Sequence, residues 1–105
     1  MSAPSKITFF EFLTPLIKAG KKTITIRDAS EAHYVPGSNV SVYTLETNEK
    51  VCNIRILSVQ PLSFDDISQH HAEQEAMDLD RLKTLIREIY PNTDLLFEIR
   101  YELIN

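Results

Sequence analysis

Apolar and polar residues alternate along several segments of this chain, and such alternation predicts β-strands with one buried and one exposed face. The clearest example spans residues 23–28. Its two isoleucines face one side of the strand, while Thr23, Thr25 and Arg27 face the other. Further strands are predicted at residues 7–9, 40–43, 51–59 and 95–103. In the last of these, the alternation places Leu95 on the apolar face.

Helices are predicted between the strands. The first ends before Gly20, which suits the left-handed position that follows a helix. Pro15 leaves two alternatives, since this helix either kinks at the proline or begins there with Thr14 as its N-cap. The second helix is expected to open at Ser63, in a sequence that resembles a capping box, and to run toward Glu75.

A third helix is predicted from the spacing of apolar residues between Asp78, a good N-cap, and Pro91, which stops it. The polar run at residues 46–49 suits a hairpin loop between two of the strands. Strands with helices inserted between them indicate an α+β fold, and we expect a small, mostly antiparallel β-barrel with two to three flanking helices. The length of 105 residues predicts one domain that covers residues 1–105.

The composition is that of an ordinary soluble protein, with 43% hydrophobic and 25% charged residues. A net charge of −4 gives no general attraction to a phosphate backbone, so strong nucleic-acid binding is not expected. The single cysteine, Cys52, fits a reducing compartment and a buried structural role. Because no apolar run approaches ~18 residues and residues 1–6 lack the apolar stretch of a signal peptide, we expect a cytoplasmic protein that does not enter a membrane.

The first group of candidate catalytic residues consists of Lys22, Thr25 and Arg27. A threonine hydroxyl attacks a carbonyl carbon only when a base takes its proton, and a lysine serves as that base when burial or nearby positive charge lowers its pKa. Strict alternation puts Lys22 opposite Thr25, so Lys22 is expected in the turn before the strand. The plainer interpretation is an edge strand with solvated lysines, and composition alone favours it.

A second polar group occupies residues 70–75, where His71 and Glu75 are four positions apart and share a helix face. A metal site needs more ligands in a recognised arrangement, and neither a zinc-protease motif nor a Cys/His grouping is present. The plainer interpretation is a polar helix end whose other face is packed by Ile67 and Ala72. A glutamate in this position can also donate a proton if partial burial raises its pKa.

Around these candidates, the sequence resembles the small bacterial ASCH-domain proteins. The resemblance is carried by residues 7–10, 19–28, 30–31, His33, 71–75, Met77, Leu79, 82–83 and 89–91. Within that group, the chain is similar to the N4-acetylcytidine amidohydrolases over nearly its whole length. The resemblance implies a PUA-like β-barrel decorated with helices, which is the ASCH fold. It also implies hydrolysis of the acetyl amide on cytidine to cytidine and acetate, without a metal or another cofactor.

Carried over residue by residue, the resemblance implies that Thr25 is the nucleophile, Lys22 its base and Glu75 the third catalytic residue, which acts as acid or base. Arg27 matches the supporting polar residue of the family. Residues 35–64 match only in pattern, so the resemblance assigns no specificity residues there. The implied partner is a small molecule, an acetylated cytidine nucleoside, and we expect the protein to be a monomer.

Two other classes of function compete with this hypothesis. PUA-like barrels also serve as non-catalytic RNA-binding modules, but the acidic balance and the lack of a basic stripe with interleaved aromatic residues argue against that role. The other class is metal-assisted hydrolysis through His70, His71 and Glu75, which loses its activity when a chelator removes the metal.

Overall fold

The computed structural model describes residues 4–105. Its strands are β1 (Lys6–Phe9), β2 (Ile24–Arg27), β3 (Asn39–Thr44), β4 (Lys50–Ser63) and β5 (Leu95–Leu103). Its helices are α1 (Thr14–Lys18), α2 (Gln69–Gln74) and α3 (Leu79–Ile89). Short 3-10 turns lie at Glu11–Leu13, Ala29–Glu31 and Phe64–Asp66. Residues 1–3, which we assigned to the same domain and to an N-terminus without a signal peptide, lie outside the described residues.

The strands form one mixed five-stranded sheet in the order β1-β3-β4-β5-β2. Strand β1 runs parallel to β3, and the other neighbouring pairs are antiparallel. With helices in the connections, this architecture confirms the predicted α+β fold and its mostly antiparallel sheet. Strands β1 and β2 form the two edges, so the strand that carries Thr25 and Arg27 is an edge strand.

Backbone pairing among residues 4–105 does not close the sheet into the expected barrel, because the sheet ends at β1 and β2. A side chain joins these two edges instead. On β2, Arg27 Nη2 donates a hydrogen bond of 2.8 Å to the carbonyl oxygen of Thr8 on β1. The two edges of the sheet therefore approach each other at Arg27.

Two hydrophobic clusters form the core. The first lies between α1 and strands β1, β3, β4 and β5, and it includes Cys52, whose burial agrees with the predicted structural role. The second packs α2 and α3 against β2 and β5. Its buried members are Ile24, Ile26, Ile67, Ala72, Leu82, Ile86 and Leu96. The isoleucines of β2 therefore face the helices, as the alternation predicts.

The alternation is wrong for the start of β5. Leu95 is 60% exposed, whereas Leu96 is fully buried in the second cluster. The two leucines are adjacent, so the apolar pattern alone does not tell which of them points inward. Leu96 points inward because it pairs with Leu62 on β4 and because the helices cover this end of the sheet.

Helix α1 begins at Thr14 and carries Pro15 in its first turn, which resolves the alternatives that the sequence left open. Thr14 is not the N-cap, since Leu13 holds that position and the Thr14 hydroxyl donates to the carbonyl of Glu11 at 2.8 Å. Gly20 has a φ of 74°, which is the left-handed conformation predicted for the residue after a helix. The chain turns there toward β2.

The helix predicted to open at Ser63 does not begin there. Strand β4 continues to Ser63, which pairs with Leu95, and a 3-10 turn follows before α2 begins at Gln69. Pairing with β5 extends the strand into the capping-box-like sequence, so a tertiary contact overrides the local signal. Ser68 is the N-cap of α2, and its backbone N–H donates to His71 Nδ1 at 3.0 Å.

Helix α3 confirms the third predicted helix, with Asp78 as its N-cap. Its buried residues, Leu82 and Ile86, belong to the second cluster and hold the helix against β2 and β5. Among the helices of residues 4–105, none has the length and apolar character needed to cross a membrane.

Leu82→Ala is expected to lower the free energy of unfolding by about 2–5 kcal/mol, because truncation leaves a cavity between α3 and the sheet. Leu82 is 1% exposed, whereas Leu95 is 60% exposed. The matched control Leu95→Ala should therefore change stability by no more than about 0.5 kcal/mol. Urea unfolding followed by circular dichroism measures both values, and equal losses in the two variants would contradict the assigned core.

Candidate active site

The candidate catalytic residues share one cavity of about 140 Å³. It lies where the edge strands β1 and β2 approach each other, and helix α3 contributes the facing wall. Lys22, Thr25, Arg27 and Glu75 all line it, so the fold brings together the four residues singled out from the sequence. The rest of the lining is largely apolar, which strengthens electrostatic interactions within the cavity.

Lys22 lies in the turn between Gly20 and β2, as predicted. Its backbone N–H donates to the carbonyl of Leu16 at 3.1 Å, which holds the turn against α1. The residue is only 3% exposed. Its Nζ donates to the carbonyl of Ile24 at 2.7 Å and contacts the carboxylate of Glu75. The interpretation of Lys22 as a solvated lysine is therefore wrong.

Glu75 is the C-terminal cap of α2 and is 4% exposed. A backbone hydrogen bond of 2.8 Å from the N–H of Thr23 to the carbonyl of Gln74 ties the turn before β2 to the end of α2. The next residue, Ala76, has a φ of 58° and turns the chain away toward α3. These backbone constraints bring Glu75 to Lys22, which lies 53 positions away in the sequence.

The surroundings of Lys22 favour its neutral amine. Burial lowers the pKa of Lys22 well below its usual value of 10.5, and the positive charge of Arg27 acts in the same direction. The Glu75 carboxylate, which contacts Nζ, acts in the opposite direction and favours the charged ammonium. The ring of Phe9, whose centroid lies 5.5 Å from Nζ, adds apolar surface. A lysine with a lowered pKa meets the requirement for a general base.

Thr25 is 4% exposed, although it lies on the face of β2 that the alternation marks as polar. The interpretation of this face as a solvated edge is therefore wrong here as well. Thr25 Oγ1 accepts a hydrogen bond of 2.9 Å from Arg27 Nε. Because a hydroxyl group has acceptor capacity as well as one proton, this bond leaves the Thr25 proton available to a base.

The guanidinium of Arg27 is held on several sides. Besides the bond to Thr25, it donates to the carbonyl of Thr8, and its central carbon lies 4.9 Å from the ring centroid of Phe9. Its Nη1 lies 3.8 Å from Glu31 Oε1. The side chain is 13% exposed, so its charge is largely removed from water and is compensated by these contacts.

The cavity is also lined by Glu31 and Tyr90, to which the sequence analysis assigned no role. Tyr90 follows the last residue of α3, and its hydroxyl donates to Glu31 Oε2. A signal was available for Glu31, since it lies four positions after Arg27 and carries the opposite charge. Tyr90 offers no comparable signal, because it follows Glu31 by 59 positions and meets it only in the folded chain.

The histidines do not join the site. His71 Nε2 lies 3.2 Å from Glu98 Oε2, and His70 is exposed. Glu75 contacts Lys22, and the three residues of the metal-assisted alternative form no group of possible metal ligands among residues 4–105. Throughout residues 4–105, no three side chains of His, Cys, Asp or Glu are grouped as metal ligands.

Comparison with known sequences identifies relatives over almost the whole chain. The family model for the ASCH domain matches residues 5–98. A protein of Vibrio parahaemolyticus serotype O3:K6 (strain RIMD 2210633), named N(4)-acetylcytidine amidohydrolase, is 70% identical over 103 residues, which are 98% of this chain and 96% of that protein. A protein of the same name from Vibrio vulnificus (strain YJ016) is 50% identical over 104 residues, which are 99% of this chain and 100% of that protein.

Solved structures show the same fold at much lower identity. An ASCH domain from Lactobacillus crispatus JV V101 matches with a TM-score of 0.75 and 16% identity, over 94% of this chain and 79% of that chain. A protein from Enterococcus faecalis V583 matches with a TM-score of 0.77 and 18% identity, over 99% of this chain and 78% of that chain. At such identities the likeness concerns the fold alone.

Single and double substitutions of the buried pair, Lys22 and Glu75, are expected to have different effects on the free energy of unfolding. Lys22→Met leaves the Glu75 carboxylate buried without its partner and is expected to lower the free energy of unfolding by about 3–5 kcal/mol. The double variant Lys22→Met with Glu75→Leu removes the buried carboxylate as well, so it should equal the unsubstituted protein or exceed its stability by about 1–4 kcal/mol.

Urea unfolding measures both effects, with the exposed pair Arg55 and Glu102 as the control. Replacing that pair by Met and Leu should change the free energy of unfolding by no more than about 1 kcal/mol. A double variant of Lys22 and Glu75 as unstable as Lys22→Met alone would show that the pair stabilises the fold.

Proposed function

Because the chain belongs to the ASCH domain family, we propose that it hydrolyses the acetyl amide of N4-acetylcytidine to cytidine and acetate. The shared name of its relatives identifies this substrate for them. The observation that carries the proposal is the buried contact of Lys22 with Glu75 in the cavity that also holds Thr25. A base, a second proton carrier and a hydroxyl nucleophile are the groups that amide hydrolysis through an acyl-enzyme requires.

In the first step, Thr25 Oγ1 forms a bond to the acetyl carbonyl carbon, and Lys22 accepts the hydroxyl proton. The lowered pKa of Lys22 supports this role. Arg27 Nε, which donates to Thr25 Oγ1, stabilises the negative charge that develops on the attacking oxygen.

The carbonyl oxygen becomes negatively charged in the tetrahedral intermediate and needs hydrogen-bond donors. Arg27 directs single N–H groups to Thr25 and to the carbonyl of Thr8, and its guanidinium has others to offer. Backbone N–H groups can serve in the same way. Each donor placed for such an oxyanion typically contributes about 3 kcal/mol.

The intermediate then breaks its bond to N4 of cytosine, and the departing amine gains a proton from Lys22 or Glu75. A neighbouring carboxylate favours the protonated lysine, which cannot act as a base. Because Lys22 and Glu75 are in contact, the proton can move from one to the other, and Lys22 can then accept a proton again. In the second half of the reaction, water attacks the acetyl ester of Thr25. Either Lys22 or Glu75 takes the proton of the water, acetate leaves, and Thr25 regains its hydroxyl proton.

The size of the cavity agrees with the reacting part of an acylated base. A protein cavity of ~150 Å³ holds one benzene-sized ring, and the cavity here measures about 140 Å³. We propose that this space receives the acetyl amide and the part of the ring that carries N4, with the rest of the nucleoside at the mouth. Because every proton transfer is assigned to a side chain of this cavity, we propose that the reaction needs no metal.

Thr25→Ala is expected to lower kcat/KM for N4-acetylcytidine by at least about a thousandfold, because the nucleophilic oxygen is lost. Thr25→Ser retains a hydroxyl and should keep part of the rate. Lys22→Ala and Glu75→Ala should each lower kcat/KM by about a hundredfold or more, since general acid–base catalysis is removed. Acetate release in chelator-treated buffer measures all of these rates.

The matched control is Thr84→Ala, which removes an exposed threonine of α3 outside the cavity and should leave the rate unchanged. Full activity of Thr25→Ala would remove Thr25 as the nucleophile. Loss of wild-type activity after chelation, with recovery on adding zinc, would contradict the metal-independent mechanism. A wild-type protein that forms no product but binds RNA in a salt-sensitive manner would support the RNA-binding alternative.

The activity should also depend on pH through Lys22. Because Lys22 must be neutral to accept the proton, kcat/KM is expected to rise with pH and to level off well below pH 10.5, the usual pKa of a lysine. The Lys22 13Cε signal in NMR should titrate over the same pH range as the activity. A rate that keeps rising up to pH 10.5, with Lys22 titrating there, would contradict the assignment.

A further inference from the structure

A continuous series of contacts leads from the end of helix α3 to the hydroxyl of Thr25. The hydroxyl of Tyr90 donates to Glu31 Oε2. The other oxygen of that carboxylate, Oε1, lies 3.8 Å from Arg27 Nη1. Arg27 Nε in turn donates to Thr25 Oγ1 at 2.9 Å. All four residues line the same cavity.

We propose that Glu31 and Tyr90 are positioning residues, which hold the guanidinium of Arg27 in the orientation that directs Nε at Thr25. The inference rests on the proposed function, since it concerns the rate at which Thr25 is acylated. It adds two residues that act through Arg27 and need not touch the reacting atoms.

The other contacts of Arg27 do not compensate its positive charge, and a carboxylate is needed to do so. The Thr8 carbonyl fixes one end of the guanidinium, and the ring of Phe9 supports one face. Neither group carries a negative charge. With its side chain 13% exposed, Arg27 needs a compensating charge close by, and Glu31 is the carboxylate that forms an ion pair with it.

Glu31 alone is a weak anchor. It lies on the short 3-10 turn Ala29–Glu31, and its side chain is 46% exposed. An exposed ion pair at 3.8 Å holds its partners loosely, because solvent competes and the side chains stay mobile. The hydroxyl of Tyr90 removes this freedom by fixing the second carboxylate oxygen of Glu31.

Tyr90 is itself anchored in the fold. Its backbone N–H donates to the carbonyl of Ile86 at 2.7 Å, and its ring packs against the second hydrophobic cluster. Burial and the hydrogen bond to Glu31 both raise the pKa of Tyr90, so the hydroxyl keeps its proton and remains a donor near neutral pH. The core of the protein thus fixes the position of Glu31 through Tyr90.

The consequence is a loss of rate when this support is removed. Misplacing a catalytic group by about 1 Å can cost around a hundredfold in rate. Arg27 keeps its bond to Thr8 without Glu31, so we expect a partial loss. Glu31→Gln and Tyr90→Phe should each lower kcat by between about tenfold and a hundredfold, and KM should stay within about twofold because substrate binding is not the step affected.

The double variant provides the sharper result. If Tyr90 acts only through Glu31, the variant carrying Glu31→Gln and Tyr90→Phe should match Glu31→Gln alone within about twofold. The controls are Tyr34→Phe and Glu102→Gln. Tyr34 is a partly buried tyrosine that donates to the carbonyl of Lys6 at 2.9 Å, and Glu102 is a 50% exposed partner of Arg55. Both controls should keep the wild-type kcat.

A second readout follows Arg27 without any substrate. Hydrogen exchange of the Arg27 side-chain Nε–H, measured by NMR, should be faster in Glu31→Gln and Tyr90→Phe than in the wild type and the controls. Wild-type kcat in both variants, or a rise in KM alone, would overturn the positioning role, as would unchanged exchange. A wild-type protein that does not hydrolyse N4-acetylcytidine would overturn the proposed function and with it the effect of Glu31 and Tyr90 on the rate. The exchange rates of the Arg27 Nε–H would still show whether these two residues hold Arg27.

Discussion

The buried contact between Lys22 and Glu75 is the interaction on which the rest of the site depends. Burying an ionisable group in its charged form costs several kcal/mol even after the protein relaxes, so the surrounding chain must hold the two side chains in place. The turn after Gly20 is bonded to α1, and the N–H of Thr23 is bonded to the end of α2. The same loss of water that makes the pair costly lowers the pKa of the lysine. Stability and reactivity are therefore opposed at this point of the fold.

The open side of the sheet is the second constraint. Strands β1 and β2 are its edges, and edge strands carry backbone groups without a partner strand. Arg27 satisfies one of these groups, the carbonyl of Thr8, and directs Nε at Thr25 from the same guanidinium. Because side chains rather than a backbone ladder fill the gap between the edges, space for a cavity remains. One arginine thus joins the two edges of the sheet and donates a hydrogen bond to Thr25 in the cavity.

Helix α3 links the core to the cavity. Leu82 and Ile86 are buried between the helix and the sheet and also line the cavity, so the packing that stabilises the fold shapes the binding space. Beyond the last turn of the helix, Tyr90 reaches Glu31 and the turn that follows β2. The shape of the site consequently depends on elements that carry none of the groups assigned to acid–base catalysis.

The strand around Thr25, the turn at Gly20 and helix α3 were predictable because each depends on local conformational preferences or on the period of apolar residues. The position of Lys22 outside the strand followed from the same alternation, while the catalytic roles were predicted from the family resemblance. The extension of β4 to Ser63 was not predictable, since pairing with β5 overrides a helix signal there. Only the tertiary structure decided the burial of Lys22 and Thr25 and the contact with Glu75. Those properties arise where segments distant in sequence exclude water from a shared space, and local sequence carries no record of which segments meet.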